Sequence, residues 1–147
     1  MRHESCQVPS SGANDPDAIE RMLDATRIAI VGASDDPSRP SHRIASYLLA
    51  HGKEVVPVNP NHETVLSLKC YRSLSEIPGS IDLINVFRRP EFCADVARQA
   101  IAIGAKGLWL QSGIACGESE RLARDAGLLF VQDRCIMVEH MRRRSQS

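Results

Sequence analysis

The chain has 147 residues, 43% of them hydrophobic, which is enough for one compact domain with a sizeable core and leaves little room for a second. Its 18 basic and 18 acidic side chains give a formal charge of zero, so no field over the whole molecule draws in nucleic acid or an anionic membrane, and any anion must be held locally. No apolar run approaches the roughly 20 residues of a bilayer span, and the N-terminus lacks the charged-then-apolar order of a signal peptide, so a cytoplasmic protein is expected.

Residues 1–14 are rich in Ser, Gly and Pro, have no periodicity, and are expected to form a flexible arm. Asp15 followed by Pro16 reads as a cap and first turn, and Ile19, Met22 and Leu23 recur at helical spacing, which predicts a short lead helix. Ile28, Ala29, Ile30 and Val31 form an apolar run that stops at Gly32. Helical spacing resumes at Ile44, Leu48 and Leu49, with Gly52 placed to end it. Strand, long loop and helix is how nucleotide sites begin. The N–H groups and positive dipole at the helix start suit an anionic ligand in the loop.

The β-branched run at 55–58, broken by Pro57 and closed by Asn59 and Pro60, predicts a strand ending in a turn. A short extended piece is expected within 64–71, and a brief helix capped by Ser73 runs to Ile77. A third apolar strand covers 81–87. After it, Pro90 opens a helix that buries Val96, Ala97, Ala100 and Ile101 and stops at Gly104. Two more strands, 106–110 and 128–132, flank a helix at 118–126 that turns Leu122 and Ala123 inward and ends at Gly127. Arg142, Arg143 and Arg144 form a basic cluster in a tail, 142–147, which could touch phosphates or simply be solvated; no role is assigned to it.

Five short strands, apolar through their length and separated by helices, call for a mainly parallel sheet covered on both faces: an α/β, doubly wound domain over 15–141. Ligands of such sheets lie beyond the carboxyl ends of the strands. That directs the functional reading to the loops 32–41, 59–61, 88–90, 111–113 and 133–135. Cys6, Cys70, Cys93, Cys116 and Cys135 are odd in number and scattered, which fits neither a disulfide framework nor a C-x-x-C site. Cys93 and Cys135, among apolar neighbours, read as small core residues. His42, His51, His62 and His140 show no pair at ligand spacing, so no metal is expected.

A simple nicotinamide dinucleotide site fits poorly. The G-x-G-x-x-G fingerprint would place its later glycines at Ser34 and Pro37, and the acidic residue expected after the second strand is replaced by Val58 and Asn59. The loop from Gly32 to Pro40 is also long, and Arg39 and Ser41 offer a charged fork and a hydroxyl cap beside its N–H groups.

At these residues the chain resembles the small stand-alone CoA-binding proteins, whose domain is similar to the nucleotide-binding domain of the succinyl-CoA synthetase alpha subunit. The resemblance runs from about residue 26 to 140. It is carried by VGASDDPSRPSHR at 31–43, VPVNP at 56–60, CYRSLSEIP at 70–78, DLINVFRRPE at 82–91, GAKGLWLQSG at 104–113 and DRCIMVEH at 133–140. It implies a Rossmann-like domain that binds coenzyme A. Carried across, Gly32, Ala33, Ser34, Arg39, Pro40 and Ser41 match the family's phosphate-facing loop, and Asn59 with Pro60 matches a turn near the adenosine. Val86, Phe87 and Arg88 match the turn lining the pantetheine path, with Arg88 a candidate for a phosphate, and Gln111 with Gly113 matches the next loop. Beside these stand plainer readings: Arg39 or Arg88 as surface ion-pair residues, and Phe87 as a core ring. The expected function is reversible binding of CoA or an acyl-CoA in a carrier, sensor or accessory role. The alternatives are an enzyme using CoA or NAD(P) and a redox-sensing or protein-interaction module. Cys135 near a thiol ligand also raises a mixed disulfide as an alternative to a buried thiol. Oligomeric state is left open.

Overall fold

A computed structural model describes residues 14–146, so the anticipated arm lies outside the described residues except for Asn14. The elements in chain order are α1 (Pro16–Leu23), β1 (Arg27–Val31), α2 (Pro40–Ala50), β2 (Glu54–Val58), β3 (Thr64–Val65) and β4 (Leu68–Lys69). A 3₁₀ turn (Leu74–Glu76) follows, then β5 (Leu83–Val86), α3 (Pro90–Ala102), β6 (Gly107–Leu110), α4 (Gly117–Asp125), β7 (Leu129–Val131) and α5 (Ile136–Ser145). Three of the helices begin with proline at the first turn, at Pro16, Pro40 and Pro90, where the missing N–H leaves no helical bond unmade. Asp15 caps α1 by accepting from the Asp17 amide at 3.0 Å.

β2, β1, β5, β6 and β7 form one five-stranded sheet in that order, every pair parallel. From β1 the chain steps outward to β2, then returns to the other side of β1 for β5, so the order reverses between β1 and β5. Side chains alternate between two cores. Ile28, Ile30, Leu83, Trp109 and Val131 pack under α1, α2 and α5, while Ala29, Val31, Ile84, Val86, Leu108, Leu110 and Phe130 pack under α3 and α4. Each such fully buried large side chain contributes about 1.5–3 kcal/mol of transfer free energy. Helices on both faces confirm the doubly wound α/β, Rossmann-like domain. Asn85 is the exception within the apolar strands: it is fully buried in β5, and neither polar atom of its amide has a hydrogen-bond partner.

Beyond β2, the antiparallel hairpin β3–β4 and a single parallel bridge between Val58 and Tyr71 occupy the place where a further strand would lie. Three expectations are corrected. The segment after residue 135 forms helix α5, and Arg142, Arg143 and Arg144 belong to it rather than to a solvated tail. Arg143 reaches Asp24 at 2.8 Å, and Arg144 lies 2.7 Å from His51 Nε2, which ties α5 to the ends of α1 and α2. Ser73 stands at the cap position of the 3₁₀ turn, but its hydroxyl lies 2.9 Å from Ser75 Oγ instead of capping backbone. Ser41 is also no cap: α2 starts at Pro40 with Arg39 in the cap position, and Ser41 is buried inside the first turn.

Candidate functional site

The reversal point between β1 and β5 is closed by Gly32. Its φ of +87° lies in the left-handed region, and a Cβ there would sit 2.8 Å from the Phe87 carbonyl oxygen, so only glycine lets the two loops approach this closely. The amides of Gly32 and Ala33 both donate to the Val58 carbonyl, at 3.0 and 3.3 Å. From there the loop is built of small turns that hold themselves. Ser34 Oγ accepts from the Asp36 amide, Asp36 Oδ1 accepts from the amide and hydroxyl of Ser38, and the Arg39 amide returns to the Asp36 carbonyl. The bonds from Ser38 hold the Asp36 carboxyl below its ordinary pKa. Asp35 Oδ1 accepts from the Leu66 amide at 3.1 Å, which fastens the β3–β4 hairpin to the loop. No side chain caps the first turn of α2, whose N-terminus opens on the same space.

Above this floor lies an open cleft of about 760 Å³. Of the residues anticipated from sequence, Gly32, Ala33, Ser34, Arg39, Pro40, Ser41, Asn59, Phe87 and Gln111 line it. Pro60 and Arg88 line instead an adjoining cleft of about 410 Å³ that shares Gly32 and Asn59 as a wall. Val86 is fully buried, and Gly113 lies in neither cleft, its amide donating to Asp133 Oδ1 at 2.8 Å. Asn59 is occupied within the protein: its Nδ2 donates to the Ala33 carbonyl at 2.7 Å, and its Oδ1 accepts from the Asn61 amide at 2.8 Å. Gln111 is buried, and its Oε1 accepts from the Ile136 amide at 3.0 Å, so it caps α5 from the end of β6. Gln132, after β7, does the same for the Cys116 amide before α4.

The structure adds Arg43, Ile44, His62, Ser112, Ile114, Cys135 and Met137 to the cleft wall. Arg43 was legible, since it stands four residues from Arg39 at the start of a helix and so on the same face. Cys135 is a correction: it is half-buried in the cleft wall, whereas Cys70, Cys93 and Cys116 are buried. Its chain neighbours are apolar, which hid this. Its wall combines polar groups at Asn59, His62, Arg39, Gln111 and Ser112 with apolar ones at Ile114 and Met137.

Arginine pairing differs between this mouth and most of the remaining surface, although Arg21 and Arg134 also make no ion pair among the described residues. Arg27, Arg89, Arg98, Arg121, Arg124, Arg142 and Arg143 each lie within 4.0 Å of a carboxylate. Arg39, Arg43, Arg72 and Arg88 make no ion pair among the described residues, so the surface ion-pair reading of Arg39 and Arg88 does not apply there. Arg88 packs over the Phe92 ring with its guanidinium carbon 4.4 Å from the ring centre. No three His, Cys, Asp or Glu side chains converge as a metal site among the described residues. Nor is any described helix long and apolar enough to cross a membrane.

Fold and mouth together define a doubly wound α/β domain with an open, arginine-bearing cleft at its reversal point. Comparison with known proteins gives that class a family. The chain belongs to the CoA-binding domain family, which matches it over residues 26–141. It is 40% identical over 121 residues to the uncharacterized protein YneT of Bacillus subtilis, a match covering 82% of this chain and 90% of that protein. It is 37% identical over 91 residues to the alpha subunit of ADP-forming acetate–CoA ligase II of Pyrococcus furiosus, covering 61% of this chain and 19% of the subunit. Among solved structures, a hypothetical protein from Pyrococcus horikoshii OT3 superposes with a TM-score of 0.84 at 41% identity, covering 91% of this chain and 94% of that one.

Proposed function

We propose that the protein binds coenzyme A or an acyl-CoA reversibly in the cleft over loop 32–40, in a carrier, sensor or accessory role without chemistry of its own. The observation that carries this reading is the unpaired Arg39 and Arg43 beside the uncapped start of α2, above a backbone that Gly32 draws together. Guanidinium forks and helix amides are the donors that phosphate oxygens need. The basic part of the cleft wall suits a pyrophosphate, and the apolar part at Ile114 and Met137 suits an uncharged pantetheine arm. A binding role is supported by coverage. The chain matches nearly the whole of YneT but about a fifth of the ligase subunit, so what it shares with the ligase is this domain.

Thermal unfolding with CoA, acetyl-CoA, NAD, NADPH and ATP tests the reading, because a ligand confined to the native state at 100 times its Kd adds about 2.7 kcal/mol. CoA and acetyl-CoA are expected to raise Tm. A shift with NAD or NADPH alone, or none at all, would overturn the assignment. As an independent readout, CoA should protect Cys135 from alkylation.

A further inference from the structure

The smaller cleft, about 410 Å³, has no place yet in this reading. Its wall holds Arg72 and Arg88, together with Ser73 and Gln99, and it joins the main cleft across Gly32 and Asn59. The two arginines come from different parts of the chain. Arg72 follows Tyr71, whose amide donates to the Pro57 carbonyl and whose carbonyl accepts from the Asn59 amide, and its own amide donates to Glu76 Oε1 at 3.2 Å. Its backbone is therefore fixed beside the end of β2. Arg88 stands in the turn after β5 with its guanidinium stacked on Phe92. Neither has an ion-pair partner among the described residues, whereas Arg27, Arg89, Arg98, Arg121, Arg124, Arg142 and Arg143 do. Two guanidinium groups without ion-pair partners among the described residues, on the wall of one small cleft, suit an anion, and guanidinium matches the oxygens of a phosphate monoester.

We infer that Arg72 and Arg88 form a second anion site that reads the ribose 3′-phosphate of CoA, so that the protein discriminates CoA from its 3′-dephospho form. The inference rests on the proposed CoA reading. With the pyrophosphate at Arg39 and Arg43, as proposed, an adenosine laid toward Asn59 would bring its 3′-phosphate to the cleft that shares Gly32 and Asn59 with the main one. Dephospho-CoA keeps the pyrophosphate, adenine and thiol arm, and lacks only this group.

Calorimetric titration of the wild type, Arg72→Ala, Arg88→Ala and Arg39→Ala with CoA and with dephospho-CoA tests it. The wild type is expected to bind CoA at least about tenfold more tightly, the worth of one charge-assisted hydrogen bond. Arg72→Ala and Arg88→Ala should each shrink that ratio toward one by weakening CoA alone, with Arg72→Lys retaining part of it. Arg39→Ala should weaken both ligands equally. Thermal unfolding without ligand checks that each variant is folded. Equal affinity of the wild type for the two ligands, or loss of both in Arg72→Ala and Arg88→Ala, would overturn the second site and leave the CoA reading standing. Binding of neither ligand by the folded wild type would overturn both.

Discussion

Each end of the sheet carries an open cleft, and the larger one, about 840 Å³ at the amino end, is not the candidate site. Most charged groups on and beside it have partners, Arg21 on its wall being an exception among the described residues. Asp82 Oδ2 accepts from the Thr26 amide, the Thr26 hydroxyl and the Arg27 amide, with Lys106 at 3.5 Å from its other oxygen. The Arg27 guanidinium holds Glu54 and the carbonyls of Pro78 and Ser80, and Lys53 Nζ donates to the carbonyls of Leu23 and Ala25. At the carboxyl end the donors of Arg39, Arg43, Arg72 and Arg88 meet no such partners among the described residues. The number of arginines without ion-pair partners among the described residues, four at the carboxyl end against Arg21 alone in the amino-end cleft, separates the two ends better than volume does.

Substitutions at the two ends should therefore affect different measurements. Gly32→Ala forces a Cβ against the Phe87 carbonyl at a left-handed φ, and is expected to cost about 3 kcal/mol of stability and to abolish the CoA-dependent rise in Tm. Gly104→Ala, at a φ of +72° but in open space, should cost about 1 kcal/mol and leave CoA binding intact. Equal costs in denaturant unfolding would remove the close-approach argument. Next in size, Asp82 has its pKa lowered from 3.8 to about 2 by its hydrogen bonds from Arg27 and Thr26. Because the unfolded chain takes up the proton first, this contribution of about 2 kcal/mol is complete above pH 4 and is lost as pH falls toward 2. Asp82→Asn should remove it at neutral pH without changing CoA affinity. Arg43→Ala should do the reverse, weakening CoA about tenfold while moving stability by less than about 0.5 kcal/mol. Arg121→Ala, at a paired surface position, is the control that should move neither.

The smallest effect is expected at His140. It lies in a cluster with Tyr47 and His51 against the ends of α2 and α5, its Nδ1 2.7 Å from the Tyr47 hydroxyl. Burial, then the positive charge of Lys53 with His51, Arg143 and Arg144, holds its pKa below 6.5. The neutral form is native, so its contribution is whole above pH 6.5 and declines as the solution is acidified past it. Thermal scans stepped downward from neutral pH should show this decline in the wild type and a shallower one in His140→Phe.

What sequence could and could not reveal follows from how local each signal is. Apolar strands, prolines at three helix starts and glycines at the stops act through their nearest neighbours, and β1, α2, β5 and α3 were legible to within two residues. Helix α5 was not, because its first amide is capped by Gln111, 25 positions away, and its outer faces carry Glu139 and the arginines. Cys135 was misjudged for a related reason: its flanking residues are apolar, yet it ends β7's loop at the cleft. Arg72 carried no signal, since its place depends on the bridge between Tyr71 and β2.

Both margins of the sheet have outward backbone groups that are already engaged. On β2, Pro57 turns a nitrogen without hydrogen outward, and its own carbonyl already accepts from the Tyr71 amide. Beside β7, the Asn14 amide imitates a strand by donating to the Gln132 carbonyl at 2.8 Å and accepting from its amide at 2.9 Å. Among the described residues, this engagement reduces what each margin offers to a further strand.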